Sequence, residues 1–350
     1  MHKTDDFHYK HHFELESGEY LPGFQLRFTT YGKLNSARDN VIWVCHALTA
    51  NAHFMDWWNG LFGKDRLYDP DEYFVVCANM PGSCYGSTGP LSVNPETGDP
   101  YYHNFPQLTN RDVVRAFDLL RQHLRIERIH TVIGGSLGGQ HALEWAIMQP
   151  ERIAHLIQLC SNARHSPWGI AFNESQRMAI ANDPSWSEEH AGAGLQGMRT
   201  ARSIALLSYR HYRTYEQTQS ETTDDKLDRF RASSYQQYQG DKLARRFNAF
   251  SYWVLSKAMD SHHVGRGRGS IRNALERIKA KALFIGVSTD MLFPVNEQAF
   301  LAEHVAGATL SVIDSQYGHD GFLIEIDALK REISAFYEKV DCSPVCSKDS

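Results

Sequence analysis

The segment Ile129-His-Thr-Val-Ile-Gly-Gly-Ser136-Leu-Gly-Gly-Gln-His-Ala-Leu-Glu-Trp-Ala146 admits very few structures. Thr131, Val132 and Ile133 form an apolar run that reads as a buried strand, while Leu143, Ala146 and Ile147 recur at helical spacing. Between them Gly134, Ser136 and Gly138 spell G-x-S-x-G, in which a serine occupies a sharp strand-to-helix turn. The glycines are needed because strand and helix backbones approach closely there and side chains would collide. The helix N-terminus that follows points N–H groups at the serine, where acyl chemistry develops negative charge. The pentapeptide alone is weak, since it also occurs in ordinary turns. The strand before it and the helix after it mark Ser136 as a nucleophile.

The rest of the chain supplies a sheet around this turn. Leu26 to Tyr31, Val41 to His46, Tyr73 to Ala78, His130 to Gly134 and Ile153 to Cys160 read as strands, with helices at Asp112 to Leu124 and Leu137 to Gln149. Such alternation predicts an α/β fold, a mainly parallel sheet flanked by helices. From Trp168 the strand signal disappears and helical runs dominate: Glu174 to Ala181, Gly197 to Tyr209, Asp241 to Phe250 and Ser251 to Met259. We read residues 168–265 as an inserted helical lid between core segments 1–167 and 266–350, with Gly265-Arg-Gly-Arg-Gly269 marking the return. Strand character resumes at Ala282 to Val287 and Thr309 to Ile313, separated by a helix near Glu297 to Val305.

A serine nucleophile needs a base, and the base needs an orienting acid. In the α/β-hydrolase fold these follow in the order serine, acid, histidine, each just past a strand. The strand ending at Val287 leads into Ser288-Thr289-Asp290, so Asp290 stands where the acid belongs. The strand ending at Ile313 leads to Gly318-His319, which places His319 as the base. Asp314 and Asp320 are the rivals for the acidic role, and neither follows the earlier strand. The oxyanion requires two N–H donors: the amide after the nucleophile, Leu137, and one from the loop Cys45–His53, for which we choose Leu48. His46 and His53 on that loop read as packing or hydrogen-bonding residues. This chemistry requires no metal or bound cofactor.

Composition narrows the classes. With 350 residues and a net charge of −5, the chain has room for a large core and no basic surplus for nucleic acid or an anionic membrane. No apolar run reaches the roughly 18 residues of a spanning helix, and the first residues lack a signal-peptide core, so a cytoplasmic protein is expected. Cys45, Cys77 and Cys160 fall in apolar runs where reduced, buried cysteine is the default. Cys342 and Cys346 sit in a polar tail, where a metal or redox role is open but not expected, and His8, His11 and His12 read as surface residues.

The run Gly82-Ser-Cys-Tyr-Gly86-Ser-Thr-Gly-Pro90, with Asn94-Pro-Glu-Thr-Gly98 and Phe105-Pro106, resembles the signature loop of homoserine O-acetyltransferases. His46-Ala-Leu-Thr49, Ala142-Leu-Glu-Trp-Ala146, Ser208-Tyr-Arg210, Tyr238-Gln-Gly240, Arg266-Gly-Arg-Gly269, Leu292-Phe-Pro294 and Gly318-His-Asp-Gly-Phe-Leu323 are similar to that family's blocks. The resemblance runs in order along nearly the whole chain. It implies transfer of an acetyl group from acetyl-CoA, a co-substrate, through the serine to the hydroxyl of L-homoserine, a step of methionine synthesis. By the same likeness Ser136, Asp290 and His319 form the triad, Arg210 binds the acceptor carboxylate, Asp320 binds its ammonium, and the protein is a homodimer. A guanidinium fork suits a carboxylate, although Arg199, Arg202 and Arg213 lie close in sequence. The chain departs from the common pattern at Ala50-Asn51, Pro81-Gly82-Ser83 and Leu137. The residues leave open a succinyl or propionyl donor, serine as acceptor, or plain ester or thioester hydrolysis; one methylene is worth only about 1–3 kcal/mol.

Overall fold

A computed structural model describes residues 2–341, and its centre is an eight-stranded sheet. The strands are β1 (Lys3–Tyr9), β2 (Phe24–Tyr31), β3 (Val41–Cys45), β4 (Phe74–Ala78), β5 (Ile129–Gly135), β6 (Ile153–Leu159), β7 (Lys281–Val287) and β8 (Thr309–Ile313). Their spatial order is β1-β2-β4-β3-β5-β6-β7-β8. β1 and β2 run antiparallel to their neighbours, and every pairing from β4 to β8 is parallel. Cys342 and Cys346 lie outside the described residues.

Strand β3 shows why the sheet is buried on both sides. Val41, Trp43 and Cys45 enter one apolar cluster and Ile42 and Val44 the other, as the two-residue side-chain period demands. Helices α1 (Asn110–His123) and α2 (Leu137–Met148) cover the first face through Phe117, Leu143 and Trp145. Thr109 starts α1 with a reciprocal capping box to Asp112.

Strand β1 is absent from the sequence reading. Its segment Lys-Thr-Asp-Asp-Phe-His-Tyr is mostly polar, and only Phe7 is buried. An edge strand with charged residues carries a weak hydrophobic signal, so its existence is decided by backbone pairing with β2.

Between β6 and β7 the chain makes a helical excursion: α3 (Pro167–Ala181), α4 (Leu195–Tyr209), α5 (Tyr212–Gln219), α6 (Arg231–Ala244) and α7 (Ala249–Asp260). Its two ends are zipped together, since His165 N–H donates to His262 O at 3.0 Å and Val264 N–H to Ala163 O at 3.0 Å. Residues 241–250 do not form the single helix expected from their periodicity. α6 stops at Ala244, and Asn248 caps a new helix by accepting from Ser251 N–H at 2.7 Å. α3 also begins earlier than expected, at Pro167, where Ser166 caps and proline suits the first helical position. Two further helices complete the layers: α8 (Val295–His304) and α9 (Ile326–Asp341), the latter burying Leu329, Ile333 and Phe336 on the second face.

An ion network anchored on one buried carboxylate holds the return of this excursion. The Glu144 carboxylate of α2, almost fully buried, accepts from Arg111 Nε at 3.1 Å and from Arg268 Nη1 at 3.0 Å. Arg111 and Arg266 also bond Glu16, at 2.7 and 2.9 Å. Partial burial opposes ionisation of Glu16, but the hydrogen bond from Arg266 and the charge of Arg111 win and hold its pKa at about 2.

Candidate active site

The elbow between β5 and α2 is built as its glycines require. Ser136 has φ 57° and ψ −127°, a region that costs a non-glycine residue about 1–3 kcal/mol. A Cβ on Gly134 would stand 2.3 Å from Gly138 O, and one on Gly138 would stand 2.0 Å from Cys45 O. The strained turn is held on both sides: Ser136 N–H donates to Leu159 O at 3.0 Å, and Ser161 Oγ donates to Ser136 O at 2.8 Å.

Asp290 and His319 meet across the ends of β7 and β8. His319 Nδ1 donates to Asp290 Oδ2 at 2.7 Å, and both residues are buried. The other oxygen, Asp290 Oδ1, accepts from Leu292 N–H at 2.8 Å and Phe293 N–H at 2.9 Å. The imidazole stacks on Phe293 with centroids 5.2 Å apart, while Phe322 and Tyr209 flank it at 5.3 and 5.7 Å. Burial alone would depress the His319 pKa, but the Asp290 charge and hydrogen bond, with Asp320 behind them, raise it above the ordinary 6.5. Gly318, at φ 64°, lets this loop approach α4, because a Cβ there would stand 2.9 Å from Tyr209 O and from His211 N.

Ser136 and His319 line one cavity of about 500 Å³, together with Leu48, Tyr209, Asp320 and the side chains of Arg202, Lys242 and Arg246. Its walls thus come from the β3 loop, the elbow, the histidine loop and helices α4 and α6. Leu48 and Leu137 are buried, and neither amide has a hydrogen-bond acceptor among the described residues. Two amides without partners, one directly after the nucleophile and one on a loop that lines the same cavity, suit an oxyanion.

Arg210 and Asp320, assigned to opposite ends of an amino acid, face each other. Arg210 Nε stands 3.0 Å from Asp320 Oδ2, and Asp320 lines the cavity while Arg210 stands behind it. Asp314 instead accepts from Ser288 Oγ at 2.8 Å, away from the imidazole. His46 is buried, contacts Ala47 O at 2.9 Å through Nδ1 and accepts from Met80 N–H at 3.4 Å through Nε2. Burial lowers its pKa to about 4, so it is neutral and fully engaged; His53 is exposed.

Cys160 went unremarked in the sequence beyond its apolar surroundings. It takes φ 46° at the end of β6, and its thiol lies within 4.8 Å of the ligating atoms of Asp290 and His319. Burial and the Asp290 charge push that thiol well above its usual pKa, so it stays protonated. Tyr209 is visible only inside the Ser208-Tyr-Arg210 block; its tilted contact with the histidine ring depends on two segments far apart in sequence.

The strand order, the strained serine turn and the aspartate-held histidine define an enzyme of the α/β-hydrolase fold, and a family model described as alpha/beta hydrolase fold matches residues 40–325. A homoserine O-acetyltransferase of Cyclobacterium marinum is 56% identical over 323 residues, covering 92% of each chain. That of Thermus thermophilus is 45% identical, covering 93% of this chain and 88% of its own. The crystal structure of the Bacillus anthracis homoserine O-acetyltransferase superposes with a TM-score of 0.87 at 26% identity, covering 96% of this chain and 97% of its own. The esterase E22 structure gives a TM-score of 0.87 at 24% identity and speaks for the fold alone. The chain belongs to the homoserine O-acetyltransferase family.

Proposed function

We propose that this chain moves an acetyl group from acetyl-CoA to the hydroxyl of L-homoserine through an acetyl-serine intermediate, as a step toward methionine. The observation that carries the reading is His319, held by Asp290, in the same cavity as the strained Ser136. Ser136 Oγ attacks the thioester carbonyl while His319 Nε2 takes its proton, and Asp290 stabilises the imidazolium. The amides of Leu48 and Leu137 hold the oxyanion; collapse breaks the C–S bond, and the CoA sulfur leaves with the proton from His319. The homoserine hydroxyl then loses its proton to His319 as it attacks the acetyl-serine, and Ser136 is restored.

The Arg210–Asp320 pair suits a zwitterion. An amino acid that inserts its carboxylate beside the guanidinium and its ammonium beside the carboxylate exchanges one ion pair for two. The helices of residues 168–265 act as a lid that keeps water from the acyl-serine. Trp168, Met178, Leu207 and Tyr212 on these helices are exposed, and in the homodimer we propose a second copy of the chain covers apolar residues of this kind.

The test follows CoA release from acetyl-CoA with and without L-homoserine, with Ser136→Ala as control. Acceptor-dependent release, with acetyl on Ser136 when the acceptor is withheld, is the expected result. Steady release without acceptor would instead mark a hydrolase, and release with succinyl-CoA or serine in preference would revise the substrates.

A further inference from the structure

The parallel strands lead into the Ser136 and His319 turns at their C-terminal ends, and a groove lies at the opposite end, where Glu127 and Arg152 precede β5 and β6. Two cavities there, of about 400 and 550 Å³, share Asp118, Gln122 and Gln149 in their walls and so abut. Arg115, Asp118 and Gln122 recur at three- and four-residue spacing, which puts them on one face of α1, and Arg125 stands just past its end. Neither cavity shares a residue with the one that holds Ser136.

The larger cavity is cationic. Arg38, Arg121, Arg125 and Arg152 line it against two carboxylates, Asp118 and Glu127, on a chain whose net charge is −5. The buried Arg121 pairs with Asp118 at 2.7 Å, whereas Arg38, Arg125 and Arg152 form no ion pair among the described residues. The turn after α1 gathers these side chains. Arg38 Nη1 donates to Arg125 O at 3.1 Å, Arg121 Nη1 to Ile126 O, and Arg152 Nη1 to Glu127 O at 3.1 Å, three successive carbonyls. Each of these bonds uses one of the five N–H groups of a guanidinium, so like charges are drawn together with donors to spare. A multiply charged oxyanion relieves that crowding and takes those donors.

The smaller cavity is apolar at its far end, where Tyr9, Leu119 and Met148 are half-buried against the core and line the cavity. Where the two cavities meet, Gln122 and Gln149 bring amides, and the Asp118 carboxylate is an acceptor, as its 2.7 Å bond from Gln122 Nε2 shows. A carboxylate there repels a phosphate but accepts from a sugar hydroxyl. An apolar wall, a hydroxyl-binding middle and a guanidinium cluster, in that order, match the base, sugar and phosphate of a nucleotide. We propose that this groove binds a nucleoside monophosphate, with the base against Tyr9 and Met148, the sugar at Asp118 and the phosphate among Arg38, Arg125 and Arg152. The site is distinct from that of the acyl donor, whose thioester has to reach Ser136 at the other end of the sheet.

The experiment titrates the full chain calorimetrically with AMP as the probe, and with adenosine and inorganic phosphate, each of which fills one end only. Wild type, Arg125→Glu and Arg152→Gln are compared, with melting curves to establish that each variant folds. The Arg125 side chain has no partner in the protein to lose, so Arg125→Glu should fold as wild type does. We expect AMP to bind more tightly than either fragment, and Arg125→Glu or Arg152→Gln to weaken it by about 10- to 100-fold, the worth of a hydrogen bond to a charged group. Added salt should weaken AMP and leave adenosine unaffected, since only the phosphate end is electrostatic. The proposal is overturned if AMP shows no saturable binding at millimolar concentration, or if inorganic phosphate binds as tightly as AMP. It is equally overturned if the AMP Kd is the same in both variants as in wild type, which would put the nucleotide elsewhere on the chain, the donor site included.

Discussion

Replacing Asp290 with asparagine tests the site through one proton. Asp290 Oδ1 accepts two backbone N–H bonds, from Leu292 and Phe293, and these dictate how an asparagine amide must sit. Its oxygen has to face those two donors, so its NH2 faces His319 Nδ1, where Asp290 Oδ2 now accepts at 2.7 Å. Nδ1 must then become an acceptor, and the neutral ring carries its proton on Nε2. That tautomer is unable to take the Ser136 proton. The expected loss in the acylation step is about 10⁴-fold, or roughly 5 kcal/mol of transition-state stabilisation. The hydrogen-bond count is unchanged, so the melting temperature should stay within about 4 °C of wild type. Stopped-flow measurement of CoA release from acetyl-CoA, without acceptor, reads the acylation step alone. An Asp290→Asn enzyme keeping more than about a tenth of the wild-type rate would refute the tautomer argument.

Further outcomes follow from the same structure. His319 must be neutral to accept the serine proton, and its pKa is raised, so kcat/KM for acetyl-CoA should climb with pH through an ionisation above 6.5; an acid limb below that value contradicts the dominance of Asp290 over burial. The matching stability contribution is complete below 6.5 and is lost as pH rises through the raised folded value. Gly138→Ala places a Cβ 2.0 Å from Cys45 O and 2.7 Å from Cys45 C, backbone that leads into the Leu48 loop. It should cost at least about 1–3 kcal/mol in denaturant melts and lower activity further, and a variant of wild-type stability would argue against the tight elbow. Glu144→Gln leaves the partly buried Arg111 and Arg268 without their shared carboxylate, although Arg111 keeps Glu16, for an expected loss of about 1–3 kcal/mol by urea unfolding; a change under about 0.5 kcal/mol would mean the network contributes little.

What the amino-acid order determined by itself is local and steric. The G-x-S-x-G turn needs its glycines wherever the chain lies, and the periodicities of β3, β5 and β7 announce buried strands without reference to neighbours. Asp290 was legible for a related reason, since it lies just past a strand of strong apolar pattern, whereas His319 stands on the glycine-containing loop after the weaker strand β8. Tertiary structure decided what depends on partners far along the chain. β1 exists because β2 pairs with it, and its own polar residues do not announce it. Arg199, Arg202, Arg210 and Arg213 are equivalent as letters, yet packing ties Arg210 to Asp320, ties Arg199 to Asp241 and leaves Arg202 facing the cavity. A charge carries no record in its neighbours of which opposite charge it will meet; burial and chain topology choose that partner.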